Sequence, residues 1–368
     1  MMSKPLQLLR EHGQSPWIDY LSRSFVRDGD MEQLVSEGIC GVTSNPTIFQ
    51  GAIAEGDEYD DQLRSVLQDT QEPKEAFLAL ATEDIRGACD LLRATFERGD
   101  STRDGWVSLE VDPNLAYDAQ KTIEEARRLH RMIDRPNLFV KIPGTEPGLE
   151  AIEESIAAGI PINVTLLFSL ERHRAAAQAY LRGLRRLRDD GGDLRAVASV
   201  ASFFVSRVDT EADGRLDELG GHDELKGKLA IANAKLAYQA YKELFSGPEW
   251  AELESAGASP QRCLWASTST KNPEYRDVLY VEELIGRHTV NTMPRETIEA
   301  FQDHGRVENT LERDVDEAHR TFERFADAGV DYDDVVETLE HEGVDKFAKS
   351  FQELFDRVGD KRDELVAA

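Results

Sequence analysis

One lysine, Lys141, closes a short apolar run, Leu138-Phe139-Val140-Lys141-Ile142, just ahead of a Pro143-Gly144 turn. A lysine amine held out of water loses its preference for the charged form and becomes a nucleophile for carbonyl carbon. Side chains alternate faces along a strand. Leu138, Val140 and Ile142 therefore share one face, and Phe139 and Lys141 share the other. The same parity applied to other runs puts Ser108 with Glu110, Asn163 with Thr165, Ser202 with Phe204, and Thr43 with Asn45. Asp19 ends the first run and Ser267 the seventh. Asp19 and Glu110 are suited to proton transfer. The plainer roles are a helix cap for Asp19 and a structural partner of Lys141 for Glu110. Asn45 and Asn163 both donate and accept, as a ligand rich in hydroxyls requires, although Asn45 in Ser44-Asn45-Pro46 also fits turn chemistry. Arg207 and Lys271, just past the sixth and seventh runs, are placed to bind a phosphate.

Positioning these groups together takes a particular set of elements. Eight short runs have strand length and β-branched content: Pro16–Tyr20, Ile39–Ser44, Trp106–Val111, Leu138–Ile142, Ile162–Phe168, Ala196–Phe204, Cys263–Ser267 and Thr289–Met293. Helical patterns separate them, such as Asp118–Ala126 and Leu170–Ala177. Strand–helix alternation implies a parallel sheet, and eight units imply an α/β fold closed as a (β/α)₈ TIM barrel. The polar residues then gather at the C-terminal ends of the strands, where barrel enzymes keep their active sites. The expected organisation is a single barrel domain over residues 1–368, with strands within about 14–293. Extra helices fall around residues 50–100 and 208–260, and a C-terminal helical extension, 294–368, packs on the barrel.

Composition removes several classes of function. Acids outnumber bases 71 to 43, for a net charge of −28, so nucleic acid and anionic membrane are not expected partners. The bases are 31 Arg and 12 Lys, a balance that fits either a salty cytoplasm or an ordinary arginine-using genome. The start of the chain lacks a signal-peptide stretch and no run is apolar enough to span a bilayer, so a cytoplasmic location is expected. Cys40, Cys89 and Cys263 are scattered, the eight histidines form no HxxxH or HExxH pair, and neither GxGxxG nor a P-loop occurs. These patterns indicate neither a disulfide framework, nor a zinc site, nor a nucleotide site.

Five segments carry a family resemblance. They are Val42-Thr43-Ser44-Asn45-Pro46-Thr47-Ile48-Phe49, Val107-Ser108-Leu109-Glu110-Val111-Asp112-Pro113, Phe139-Val140-Lys141-Ile142-Pro143-Gly144-Thr145, Asn163-Val164-Thr165-Leu166-Leu167-Phe168-Ser169 and Ala201-Ser202-Phe203-Phe204-Val205-Ser206-Arg207. Together, in this order, they closely resemble the transaldolase family of the class I Schiff-base aldolases. Trp265–Pro273 resembles its longer branch, found in actinobacteria, cyanobacteria and plants. The resemblance implies that Lys141 forms the Schiff base and that Asp19 is the acid/base at the cleaved carbon–carbon bond. It gives Glu110 and Thr165 a catalytic water, Asn45 and Asn163 the dihydroxyacetone moiety, and Ser202 and Phe204 the pocket wall. Arg207 matches the principal phosphate ligand. Many relatives carry an arginine two residues after the serine matching Ser267, where this chain has Ser269 and its nearest cation is Lys271. The implied reaction belongs to the non-oxidative pentose phosphate pathway. It moves dihydroxyacetone from sedoheptulose 7-phosphate or fructose 6-phosphate to glyceraldehyde 3-phosphate or erythrose 4-phosphate, in a monomer or homodimer. A fructose 6-phosphate aldolase and a non-catalytic sugar-phosphate-binding barrel are the alternatives, and a binding protein has no use for an amine nucleophile.

Overall fold

Eight strands lie side by side in chain order and close on themselves: β1 (Gln14–Asp19), β2 (Gly41–Thr43), β3 (Trp106–Glu110), β4 (Leu138–Pro143), β5 (Ile162–Leu167), β6 (Ser199–Phe204), β7 (Arg262–Ala266) and β8 (Thr289–Met293). This is a computed structural model, which describes residues 4–54, 57–70, 72–98 and 104–367. All neighbouring pairs are parallel, and β1 closes the barrel against β8 from Gln14–Thr289 to Ile18–Met293. The (β/α)₈ expectation holds, with each of the eight runs within a few residues of a strand. The largest difference is at β6: Leu194–Ala196 forms a 3₁₀ turn capped by Asp193, so the strand begins at Ser199 rather than Ala196.

Parallel neighbours require a crossover between them, and side-chain caps start several of these helices. Asp118 caps Ala119–Ile133, Thr145 caps Glu146–Ala157 and Ser169 caps Leu170–Asp189, each accepting a backbone N–H of the first turn. The insertions are helical as expected, including Pro46–Ala54, Pro73–Leu91, Ser206–Leu219 and Leu229–Leu244. Among the described residues no helix is long and apolar enough to cross a membrane.

The barrel interior is filled in layers. At the N-terminal ends of the strands, buried Arg262 donates to Ser15 at 2.8 Å and to Asp104 at 3.2 Å. Above it, Trp106 stacks on Phe139 at 4.1 Å between ring centroids, and Trp17 lies 6.2 Å from Phe139. Gly41 is needed beside this layer, because a Cβ there would sit 2.3 Å from the Trp17 ring. Two residues further along the same strands come Asp19, Thr43, Ser108 and Lys141, and Glu110 lies two residues beyond Ser108. The aromatic layer is thus a floor under the polar groups.

The chain after β8 forms helices Arg295–His304, Val315–Asp327 and Tyr332–Ala367. The last is long and crosses the C-terminal mouth of the barrel. Phe351 meets Phe77 edge-on at 5.8 Å, Phe77 meets Phe49 at 5.4 Å, and Gly343 lies against Leu166 and Phe168. Val336, Leu339, Val344, Phe347, Phe351, Leu354 and Val358 are its buried stripe.

Candidate active site

Strand register places Glu110 beside Lys141, and Lys141 beside Asn163, on three successive strands. Lys141 Nζ lies 3.3 Å from Glu110 Oε2, with both side chains nearly inaccessible, and it donates to the carbonyl of Ser44 at 3.4 Å. Across the barrel, Asp19 accepts from Thr43 Oγ1 at 2.6 Å, and Thr292 Oγ1 is 2.6 Å from the same hydroxyl. Among the described residues Asp19 caps no helix; Ser22 does that for Arg23–Arg27. Burial raises the carboxyls of Asp19 and Glu110 above the ordinary range, and the Lys141 charge opposes the rise in both. Each acid is therefore more ready to hold a proton than an exposed one.

Asn163 is held at both ends of its amide. Its Nδ2 donates to Ser108 at 3.0 Å, and its Oδ1 accepts from Ser202 at 2.7 Å. Next to it, Thr165 Oγ1 is buried without a hydrogen-bond partner among the described residues, as is Glu110 Oε1, the carboxylate oxygen turned away from the Lys141 ion pair. Asn45 does the turn work that its Pro46 neighbour implies, with Oδ1 accepting from the Ile48 N–H at 3.1 Å as the cap of Pro46–Ala54. It lines the cavity as well.

Asp19, Thr43, Asn45, Lys141, Ser202 and Phe204 surround a cavity of about 260 Å³. Glu110, Asn163 and Thr165 form the buried layer behind that wall, with Glu110 reaching the site through Lys141. Ser267 and Lys271 are also on the wall, so the structure brings every expected residue to one strand-end cluster. Arg207 stands 5.1 Å over the Phe204 ring and has no carboxylate within 4 Å among the described residues. Burial lowers both its guanidinium and the Lys271 amine. Lys271 Nζ donates to Ser269 at 2.7 Å, in the position where the arginine is missing.

Several lining residues escaped the sequence reading, two of them on the last helix. Lys346 and Phe347, on the C-terminal helix, complete the lining. Phe347 lies 5.7 Å from Lys141 Nζ and 5.9 Å from the Arg207 guanidinium, between amine and cation. Arg207, Lys271 and Lys346 line both the inner cavity and an outer one of about 440 Å³, so three cations flank the passage between them. The apolar stripe of the helix is legible in sequence and contains Phe347. Nothing in a stripe says which strand ends it will cover, so Lys346 had no signal.

Backbone strain sits here too. Leu166 and Ser267 have φ of 56°, a conformation that side chains rarely adopt. Leu166 coincides with a register shift between β5 and β6 at Val164/Leu167.

A buried amine beside a carboxylate, with cations at the cavity mouth, can form and hydrolyse an imine on an anionic carbonyl compound. Comparison with known proteins points the same way. A sequence model described as transaldolase/fructose-6-phosphate aldolase matches residues 16–358. The chain is 51% identical over 361 residues to a transaldolase of Thermobifida fusca (strain YX), covering 97% of this chain and 98% of the relative. It is 49% identical to one of Thiobacillus denitrificans, over 94% of this chain and 97% of that one. For a transaldolase of Mycolicibacterium smegmatis the identity is 48%, over 95% of each. Since the match takes in all but the first residues of the barrel and most of the helix that covers it, the chain belongs to the transaldolase/fructose-6-phosphate aldolase family.

Proposed function

We propose that this enzyme is a transaldolase whose Lys141 carries a three-carbon ketol fragment as a Schiff base. The observation that carries the reading is the Lys141–Glu110 contact, 3.3 Å inside a buried strand-end cluster whose passage to the outer cavity is flanked by cations. Lys141 adds to C2 of a ketose phosphate, and loss of water gives the iminium. Asp19 takes the proton from the C4 hydroxyl, the C3–C4 bond breaks, and its electrons pass into the iminium to leave an enamine. The aldose phosphate departs. The enamine carbon then attacks the aldehyde of a second aldose phosphate, Asp19 returns the proton to the new hydroxyl, and water releases the product. The protonated imine is itself the electron sink, so these steps call for no further cofactor.

The remaining residues divide the work. The buried, unbonded Glu110 Oε1 and Thr165 Oγ1 suit a water that relays protons as the imine forms. Asn163, fixed by Ser108 and Ser202, and Asn45 hold the hydroxyls of the fragment. Arg207, Lys271 and Lys346 meet the phosphate near Ser267. The buried free thiols Cys40, Cys89 and Cys263 support a reducing cytoplasm as the compartment.

Fructose 6-phosphate with borohydride should inactivate the enzyme and leave a reduced three-carbon adduct on Lys141, read by peptide mass mapping. An adduct on another residue, or none, would overturn the assignment. Without an acceptor the same donor should give at most one turnover, and erythrose 4-phosphate should start sustained turnover. Continuous release of dihydroxyacetone at a rate near that of transfer would make the enzyme an aldolase.

A further inference from the structure

The loop after β7, residues 267–278, carries Ser269 and Lys271, whereas Arg207 stands in the first turn of Ser206–Leu219. Two carboxylates one helical turn apart on that helix, Asp209 and Asp213, join these elements by the same device. Each spends one oxygen on a backbone N–H at the start of Leu229–Leu244: Ala230 to Asp209 at 2.7 Å, and Gly227 to Asp213 at 3.0 Å. Each gives its other oxygen to a tyrosine from beyond β7: Tyr280 to Asp209 at 2.8 Å, and Tyr275 to Asp213 at 2.6 Å. Gly227 lets the Tyr275 ring lie against the backbone, because a Cβ there would fall 2.9 Å from the ring. Burial, reinforced by the adjacent carboxylates, pushes both tyrosine hydroxyls above their ordinary value, so both remain donors. None of these four side chains lines the cavity.

We propose that the Tyr275–Asp213 and Tyr280–Asp209 bonds are a clamp that fixes Lys271 and Ser269 opposite Arg207, and so set the affinity of the site for phosphate. The proposal rests on the phosphate subsite of the transaldolase reading. The four are positioning residues: they touch no substrate and act through the two cations. A cation on an irregular loop binds an anion well only if the loop is already ordered, since otherwise ordering is lost on binding. Residues 267–278 contain no regular element of their own, and the clamp supplies that order from outside.

The test is the full-length Tyr275→Phe/Tyr280→Phe variant, which keeps both rings and removes only the hydroxyls. Its calorimetric Kd for inorganic phosphate should rise roughly five- to tenfold, the loss expected for about two ordinary hydrogen bonds acting only in part on binding. The ratio of kcat/KM for glyceraldehyde 3-phosphate to that for glyceraldehyde should fall by a similar factor. Asp213→Asn, whose amide can still bond to both partners, should restore most of the phosphate affinity that Asp213→Ala loses. An unchanged phosphate Kd in the double tyrosine variant, or equal losses with both acceptors, would overturn the clamp. Wild-type protein that binds phosphate yet forms no borohydride adduct would instead overturn the transaldolase reading, and the phosphate titration would still decide on the clamp.

Discussion

Burial at the barrel mouth works against four of the charges there: it raises the carboxyls of Asp19 and Glu110 and lowers Arg207 and Lys271. Arg207 and Lys271 have no carboxylate within 4 Å among the described residues to offset that cost, and a bound phosphate would. Arg207→Ala should therefore raise KM for phosphorylated sugars strongly, by roughly 1.5–3 kcal/mol for a lost charge-assisted bond. Lys271→Ala and Lys346→Ala should do so less, being at the rim. Steady-state kinetics with unchanged KM in all three would mean that other groups hold the phosphate. Asp209 gives a prediction about stability. Burial pushes its carboxyl from 3.8 up to about 7. Below 3.8 both folded and unfolded chains hold the proton; as pH rises the unfolded chain releases it first, so stability is lost up to about pH 7. Asp209→Asn should flatten the fall between pH 4.5 and 7 by up to about 1.4 kcal/mol per pH unit. Urea titrations with the wild-type slope in the variant would refute this. At this scale the sequence was legible where parity decides: Lys141 with Phe139 and Glu110 with Ser108 need only alternation along a strand. Asp209 and Tyr280 were not, because their meeting depends on how two helical segments 71 residues apart come to lie together.

Elements were legible by length and pattern, and their irregularities were not. The run Ile162–Phe168 reads as one alternating strand, yet Leu166 is turned out at the register shift and packs over Gly343 of the C-terminal helix. No composition signal marks that shift, since Leu-Leu-Phe reads equally well in a regular strand. The helix itself was expected, but not its path over the mouth. Its stripe separates two functions that can be tested against each other. Phe347 borders the cavity and Phe351 faces Phe77 away from it. Both are buried, so Phe347→Ala and Phe351→Ala should each cost about 3–5 kcal/mol. Only Phe347→Ala should also lower kcat, because it opens the space between Lys141 and Arg207 to water. Equal kcat values in the two variants, measured where both are folded, would remove the helix from the chemistry.

For the molecule as a whole, charge is the dominant legible property. The structure shows many exposed arginine–carboxylate pairs, such as Arg135–Asp90 at 2.6 Å and Arg186–Glu154 at 2.6 Å. Exposed pairs of this kind are worth little each. Self-repulsion at −28 acts over the whole surface, and the Debye length shrinks from about 10 Å at 0.1 M salt to about 3 Å at 1 M. Relief of repulsion should therefore outweigh weakened pairs, and the melting temperature and activity should rise into molar KCl. A flat or falling response would mark an ordinary acidic protein. The order of closure has a further consequence, in time. Gln14 pairs with Thr289, and the cavity also requires Lys346 and Phe347. A ribosome adding about 5–20 residues per second needs on the order of tens of seconds to pass from the first strand to the last. Through that interval β1 and the newest strand are open edges that invite pairing with other chains. A nascent polypeptide thus displays Lys141 long before it has a pocket around it, and a message cut short between codons 293 and 346 would supply all eight strands but neither Lys346 nor Phe347.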